Sequence, residues 1–235
     1  MRRRVENLLS TLLWRDRRNY AAHKYLKGHG IEIGALHNPL RVPKSARVRY
    51  LDRIPANELR KHYPELNAKE FVELDIIGDG ERLDSIKDHT QDFVIANHFL
   101  EHCENPIGAI RNMVRVLRTG GILYLALPDK RYTFDVDRPA TSLQHLMRDD
   151  EEGPAWSRRN HFEEWTTLVN KVKDEAEAER EINRLMNVGY SIHFHVWTQT
   201  EMLELVLNLK DSLDFELELF LKSGSENIFI LRKCD

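Results

Sequence analysis

The sequence predicts an α/β protein whose core is a doubly wound, mainly parallel sheet that ends in an antiparallel C-terminal hairpin. Between residues 28 and 130, short apolar runs alternate with helix-like segments, a pattern typical of parallel strands joined by crossover helices. Near the C-terminus, two apolar runs flank a short Ser/Gly turn, which predicts a hairpin. The 235 residues suffice for one Rossmann-like domain with a helical lid.

The elements follow from local patterns. The helix at 106–118 is the clearest, because Ile107, Ile110, Val114 and Leu117 share one face and two glycines follow. Further helices are expected at 55–66, about 81–87 and 163–187. The expected parallel strands are 30–34, 48–52, 71–77, 92–97 and 122–127, and the hairpin strands are 215–221 and 227–232.

Three units are expected along the chain. Residues 28–235 form the main domain, with an insert or lid at about 129–200, and residues 1–27 form an N-terminal amphipathic helix. That helix carries eight Lys or Arg against two acids and an apolar stripe at Val5, Leu8, Leu9, Leu12 and Leu13. The stripe indicates either packing on the main domain or docking of residues 1–20 on an anionic membrane or a partner protein.

Composition excludes several classes of protein. The net charge of −3, from 35 basic and 38 acidic groups, does not favour nucleic-acid binding. Two cysteines without a CxxC pair form neither a disulfide framework nor a cysteine-based zinc site. No apolar run reaches the roughly 20 residues of a membrane span, and no signal-peptide pattern is evident. We expect a cytoplasmic protein, with the inner membrane surface as a place for peripheral contact.

Five sequence motifs occur in a characteristic order. An acid and a glycine end the first strand (Glu32 and Gly34), and further acids stand at Asp52 and Asp75. They are followed by a DxVxxxxxLEH segment from Asp92 to His102, and then by a helix closed by Gly120-Gly121 and a strand that stops at Pro128. From about Gly28 to its C-terminus, the chain resembles the class I S-adenosylmethionine (SAM) dependent methyltransferases. The stretches 32–39 and 128–135 are similar to a branch often associated with bacterial polysaccharide and glycolipid assembly.

The resemblance implies SAM as cofactor. Asp52 would accept the ribose hydroxyls, and Asp75 the adenine amino group, with Ile76 packed on the ring. Leu36 and Asn38 stand where the family has later glycines, and Pro39 and Pro43 leave no room for the usual first helix. The cofactor tail would then be held by the loop around Ala35 and Asn38. The residues expected to bind the cofactor are Glu32, Gly34, Ala35, Asn38, Asp52, Arg53, Asp75, Ile76, Asn97 and His98.

Histidines in the second half of the chain are the candidates for catalysis. Transfer of a methyl group to a sugar hydroxyl needs a general base, and His161, His193 and His195 suit that role, with Asp129 as an alternative. His193 and His195 alternate with apolar residues, so the pair could also bind a metal or be packed structural groups. We expect no metal in the active site. We expect the acceptor of the methyl group to be a small molecule or glycan with a polar surface.

Two rival functions remain. A nicotinamide-dependent Rossmann enzyme is disfavoured, because residues 34–39 lack the GxGxxG pattern. A non-catalytic methyltransferase-like scaffold or partner-binding module is favoured by the altered glycine loop and disfavoured by the acids Glu32, Asp52 and Asp75. The sequence therefore predicts a SAM-dependent O-methyltransferase.

Overall fold

A computed structural model describes residues 17–55 and 70–234, and it contains a single seven-stranded sheet. The strand order is β3-β2-β1-β4-β5-β7-β6. Strands β1 to β5 pair in parallel, and β7 lies antiparallel between β5 and β6. The strands are β1 (Gly28–Ile33), β2 (Ala46–Asp52), β3 (Ile76–Ile77), β4 (Gln91–Asn97), β5 (Leu117–Pro128), β6 (Phe215–Ser223) and β7 (Glu226–Lys233). The predicted doubly wound sheet with a C-terminal hairpin is confirmed.

Six helices are placed around the sheet among the described residues. They are α1 (17–25), α2 (Pro106–Val116), α3 (Leu143–Glu152), α4 (Ala155–Glu164), α5 (Glu175–Val188) and α6 (Gln199–Leu209). The two sheet faces are covered by different helices, as strand alternation requires. Val94 and Ala96 face a core that includes α2 and α6, whereas Phe93 and Ile95 face a core that includes α1.

Three expected elements differ from the structure. The third strand is only Ile76–Ile77, so Asp75 precedes it rather than ending it. Residues 81–87 form turns instead of a helix. The single charged helix expected at 163–187 is wrong: α4 passes into a π-helical turn at Trp165–Val169, and α5 starts afresh where the Asp174 side chain accepts the Glu177 amide at 2.8 Å. The helix expected at 55–66 lies mainly outside the described residues.

The described part of the N-terminal segment packs on the main domain. Ala21 and Ala22 of α1 are fully buried against the sheet. Arg18 is buried as well, and its guanidinium binds both carboxylate oxygens of Glu226, with Nε 2.6 Å from Oε1. Arg17 stays exposed and donates to the Lys222 carbonyl. Residues 17–25 therefore belong to the core, whereas the stripe from Val5 to Leu13 lies outside the described residues and its role stays a prediction.

Among the described residues, no helix combines the length and the apolar character needed to cross a membrane.

The ion pair between Arg18 and Glu226 predicts a large effect on stability. Arg18→Ala leaves a buried carboxylate with one cationic partner fewer, so we expect the free energy of unfolding to fall by about 3–5 kcal/mol. Urea denaturation followed by circular dichroism measures this change. Arg17→Ala is the matched control and should change little, because Arg17 is exposed. Equal effects of the two substitutions would contradict the prediction.

Candidate active site

A cavity of about 440 Å³ opens at the carboxyl ends of β1, β2 and β4. This is the edge at which doubly wound sheets bind ligands, beside the point where the strand order reverses between β1 and β4. Its volume lies in the range of small-molecule and cofactor sites. The cavity is lined by Ile33, Gly34, Leu36, Asp52, Arg53, Gly78, Asp79, Gly80, Glu81, His98, Phe99, His102 and Ser191.

Asp52 is the acid at the end of β2 and reaches the cavity as the sequence predicts. Among the described residues, its side chain accepts a hydrogen bond from the neighbouring amide of Arg53, at 2.7 Å from Oδ1. Burial raises the pKa of Asp52, and the amide and charge of Arg53 partly oppose this shift. The carboxylate therefore keeps hydrogen-bonding capacity for a ligand with neighbouring hydroxyls.

The turn after β3 forms the next wall of the cavity. Gly80 lies so close to its neighbours that an added Cβ would be 2.6 Å from Ile33 Cγ2 and 2.8 Å from Phe99 Cζ. The Asp79 carboxylate shapes the same turn, because its Oδ1 accepts the Glu81 amide at 2.8 Å. Apolar Ile33 and Phe99 therefore face two acids across this part of the cavity.

Glu32 is buried, and it shapes the loop after β1. Its two carboxylate oxygens lie 3.0 and 3.1 Å from the Leu40 amide, and Asn97 Nδ2 donates to it at 3.3 Å. Burial raises the pKa of Glu32 to about 7, although these hydrogen bonds and the charge of Arg18 oppose the shift. Residues 34–45 contain no helix, as the prolines predict. Glu32 thus acts on the loop and does not line the cavity.

Four of the ten residues expected to bind the cofactor line the cavity: Gly34, Asp52, Arg53 and His98. The other six do not. Glu32 and Asn97 bond to each other, and Ala35 and Asn38 form a turn through the Asn38 amide and the Ala35 carbonyl. The remaining two residues of the expected set are Asp75 and Ile76.

The expected position of Asp75 is wrong. Its carboxylate accepts the Tyr50 amide at 2.8 Å at the start of β3, and Ile76 packs on the hydrophobic core. Asp79, beyond the end of β3, is the acid that reaches the cavity.

His98 stands at the cavity wall beside two buried carboxylates, which favour its protonated form. Its Nε2 lies 2.9 Å from Glu226 Oε2, and its Nδ1 lies 3.5 Å from Glu101 Oε1. Burial alone would lower the pKa of His98, but the two carboxylates outweigh it and the pKa is raised. Its backbone has a φ of +50°, which turns the chain sharply at the end of β4.

The far side of the cavity is formed by His102 and Ser191, and it borders a second histidine. The His102 ring contacts the ring of His193 edge to face, with centroids 4.7 Å apart. His193 Nδ1 lies 2.7 Å from Asp135 Oδ2, and Arg138 donates to Asp135 Oδ1 at 3.1 Å. The expected catalytic residue His193 is therefore close to the cavity.

None of the four expected catalytic residues lines the cavity itself, and the other three lack the contact with a lining residue that His193 makes. Both oxygens of Asp129 bind the Arg131 guanidinium, at 2.9 and 2.6 Å. Burial raises the pKa of Asp129, but Arg131 outweighs this and the net shift is downward. His161 and His195 are buried together in the lid, and desolvation lowers their pKa values to about 2 and about 4. These placements do not support Asp129, His161 or His195 as the base.

Several residues of the cavity were not expected there from the sequence: Leu36, Asp79, Glu81, Phe99, His102 and Ser191. A signal for Asp79 was present, because it stands between Gly78 and Gly80 directly after an apolar run. Glycines on both sides mark a turn, where an acid is more exposed to a ligand than within the run itself. Ser191 carried no local signal.

Part of the chain matches a known family. Residues 28–125, fewer than half of the chain's 235, match the family described as Methyltransferase domain. This match and the fold support a class I, SAM-dependent methyltransferase. No curated protein sequence is a significant match.

Solved structures share the fold of this methyltransferase domain. The complex between the Haloferax volcanii Trm112 methyltransferase activator and a methyltransferase matches with a TM-score of 0.54 and 12% identity, over 97% of this chain and 93% of that one. A structure described as a Zn-dependent alcohol dehydrogenase from Rhodobacter sphaeroides matches with a TM-score of 0.54 and 13% identity, over 94% of this chain and 90% of that one. Both likenesses show the fold alone.

Two further structures are less similar. A SAM-dependent methyltransferase from Thermotoga maritima, described as a possible histamine N-methyltransferase, has a TM-score of 0.46 and 14% identity over 98% of this chain and 97% of that one. The CurJ carbon methyltransferase has a TM-score of 0.47 and 11% identity. The match covers 90% of this chain and 50% of the CurJ chain.

The cofactor of this family is SAM, and the cavity fits it chemically. SAM has two ribose hydroxyls, an aromatic base and a zwitterionic tail. The cavity has a carboxylate at the end of β2, the apolar side chains of Ile33 and Phe99, and the imidazole of His98 on its wall. Gly80 lets the backbone of this turn lie directly against Ile33 and Phe99, where a larger residue would clash with both side chains.

The placement of Asp52 and Asp75 generates a paired prediction. Asp52→Asn should weaken SAM binding by roughly 10- to 100-fold, because charge-assisted hydrogen bonds contribute about 1.5–3 kcal/mol. Asp75→Asn should leave the affinity almost unchanged, since an amide oxygen still accepts the Tyr50 amide. Isothermal titration calorimetry with SAM and S-adenosylhomocysteine measures both. A larger loss in Asp75→Asn than in Asp52→Asn would contradict the assignment.

Proposed function

We propose that this methyltransferase transfers the methyl group of SAM to a hydroxyl of a polar acceptor, a sugar or glycan. The observation that carries the proposal is the pair formed by His193 and Asp135 next to the cavity. A sugar hydroxyl is a weak nucleophile at neutral pH and gains from a positioned base. An amine acceptor would not require one.

The hydrogen bond between His193 and Asp135 fixes the role of each ring nitrogen. Asp135 is ionised, because His193 and Arg138 outweigh the effect of burial and its pKa is lowered. The carboxylate can only accept, so His193 Nδ1 carries the proton and donates it at 2.7 Å. His193 Nε2 then has the lone pair that accepts the proton of an acceptor hydroxyl.

His102 is the rival base, because it lines the cavity itself. Its Nδ1 lies 2.9 Å from the Ile192 carbonyl, so its Nε2 also carries a lone pair. Desolvation and the neighbouring His193 lower the pKa of His102 to about 3, however, which makes it a much weaker base. His102 is better suited to a neutral contact with the acceptor or the cofactor.

The surroundings of His193 support a carbohydrate acceptor. The Phe134 ring lies 4.9 Å from the His193 ring, centroid to centroid, and 55% of Phe134 is exposed to solvent. Exposed aromatic rings offer a surface to the apolar C–H face of a sugar. Tyr132 is equally exposed on the same loop, and Lys222 lies over its ring. A cation there suits the phosphate of an activated sugar.

In the proposed reaction, SAM supplies an electrophilic methyl group and leaves as S-adenosylhomocysteine. Asp52 would bind the ribose hydroxyls of the cofactor, and His98 together with the loop at Gly34 would hold its charged tail. Phe134 and Ser191 orient the acceptor so that one hydroxyl points at the methyl group. His193 Nε2 takes the proton of that hydroxyl as the new C–O bond forms, and positioning supplies much of the rate.

The biological setting is part of the same proposal. The similarity of residues 32–39 and 128–135 to the polysaccharide and glycolipid branch supports an acceptor from glycan assembly, handled in the cytoplasm or at the inner membrane surface. Docking was expected for residues 1–20; residues 17–20 begin the helix that packs on the main domain, and docking of the preceding residues on such a surface, or on a partner subunit, remains a prediction. The non-catalytic scaffold is the less favoured alternative, because it gives no reason for the oriented His193.

The role of His193 is tested by its removal. His193→Ala and Asp135→Asn should lower kcat about 100- to 10,000-fold for hydroxyl acceptors, as expected for loss of a general base and of the group that orients it. SAM affinity should stay close to that of the unmodified chain. His89→Ala is the control. His89 is exposed and lies just before β4, at the end of that strand opposite the cavity. Retained kcat in His193→Ala would contradict the proposed base.

The acceptor class is tested separately with labelled SAM. Nucleotide sugars, glycolipid precursors and matched amino sugars are offered in parallel, and the product is analysed by NMR for a methyl ether or an N-methyl group. We expect methyl ethers on sugar hydroxyls. Methylation confined to amines would overturn the acceptor proposal and leave SAM binding untouched.

A further inference from the structure

We infer that the lid contains a structural zinc site formed by His145, Asp149, His161 and His195. These four residues, here called the lid cluster, each offer one possible ligand atom, and all four atoms lie within 4.8 Å of one another. None of them lines the cavity described above. The site is therefore distinct from the proposed active site and does not depend on the proposed acceptor.

The distances within the lid cluster match a tetrahedral ion. Zinc binds imidazole nitrogens at 2.0–2.1 Å, so adjacent ligand atoms of a tetrahedral site lie roughly 3.3 Å apart. His145 Nε2 is 3.2 Å from His161 Nε2 and 3.3 Å from Asp149 Oδ2. His195 Nε2 is 3.5 Å from the same Asp149 oxygen. Three of the six edges of the tetrahedron thus have the expected length.

Hydrogen bonds alone leave the lid cluster incompletely satisfied. A neutral His145 carries one proton on Nε2 at most, and it cannot serve both His161 Nε2 and Asp149 Oδ2 fully. His195 Nε2 also lies 3.3 Å from the Glu104 carbonyl, which competes for its proton. Asp149 Oδ2 has no hydrogen-bond partner among the described residues, although Asp149 is completely buried. A cation at the centre satisfies all four ligand atoms at once.

The surroundings hold the ligands in place. Ser157 donates to the other oxygen of Asp149 at 2.8 Å, which turns Oδ2 towards the histidines. Such contacts from the next layer of residues are typical of metal sites. The Trp156 ring lies against His145, with centroids 4.7 Å apart, and shields the partly exposed side of the lid cluster.

The ligand set identifies the metal and its role. Three imidazoles and one carboxylate suit zinc, whereas magnesium and calcium prefer oxygen ligands throughout. All four positions are filled by the protein, so no position is left for a water or a substrate, which is the mark of a structural site.

Zinc would join three separate segments. His145 and Asp149 come from α3 and His161 from α4, while His195 belongs to the segment that also carries Ser191 and His193. The ion would hold that segment against α3 and α4, and it would thereby position Ser191 and His193 beside the cavity.

The first test measures metal in the full-length chain. After dialysis against metal-free buffer, we expect about one zinc per chain by mass spectrometry. A strong chelator should remove it and lower the melting temperature, and added zinc should restore the melting temperature. Replacement with cobalt should give the intense visible absorption of a tetrahedral site. A chain that folds without zinc, and whose melting temperature ignores chelator and zinc, would overturn the inference.

Conservative variants locate the ion. His145→Gln and Asp149→Asn keep the size of each side chain and should reduce the zinc content from about one per chain to near zero, with loss of the cobalt absorption. His23→Gln is the control, because His23 is exposed on α1 and should retain the full zinc content. Zinc retained at full stoichiometry in both cluster variants would place the ion elsewhere and overturn the assignment. If a variant fails to fold, the chelator and cobalt results for the unmodified chain decide the question.

Discussion

The rest of the site depends on the hydrogen bonds that the buried carboxylate of Glu226 accepts from Arg18 and His98. Glu226 stands at the start of β7, opposite Pro128 of β5, and is 1% exposed. Arg18 of α1 binds it with two hydrogen bonds, and His98 at the end of β4 binds it with a third. A buried anion needs such partners, because an uncompensated charge in the interior is strongly destabilising. The N-terminal helix, the C-terminal hairpin and the cavity wall are thus held by one shared group.

Glu32 stabilises the loop after β1, in which prolines prevent a helix. The usual helix at this point would present backbone amides to a ligand, but residues 34–45 form an irregular loop. The buried Glu32 carboxylate holds that loop by the Leu40 amide and ties it to Asn97 of β4. The loop is therefore fixed by a side chain where helical hydrogen bonds are absent. Gly34 and Leu36, both with positive φ, bend the chain so that this wall of the cavity can form.

The histidines of the lid fall into two groups with different environments. His193 is bound to the ionised Asp135 and touches the ring of His102 at the cavity. His161 and His195 lie with His145 near a buried carboxylate, one oxygen of which accepts no hydrogen bond from the residues that the structure describes. In the proposed reaction the first group accepts a proton from the acceptor, and in the proposed zinc site the second group binds the ion. Both groups meet in the segment 191–197, whose position therefore decides the shape of the acceptor side.

The sequence by itself determined the sheet, the hairpin and the position of Asp52 at the end of β2. Local patterns indicate each of them: apolar runs, turn residues and an acid at the end of a strand. It misplaced the acid of β3, since the apolar run before Ile76 has the composition of a strand but does not pair as one. The tertiary structure alone decided which distant residues meet. Arg18 and Glu226 are 208 positions apart, and the lid cluster gathers residues from 145 to 195. No local pattern encodes such contacts, because they arise only when packed helices and strands bury charged and polar groups that must then find partners.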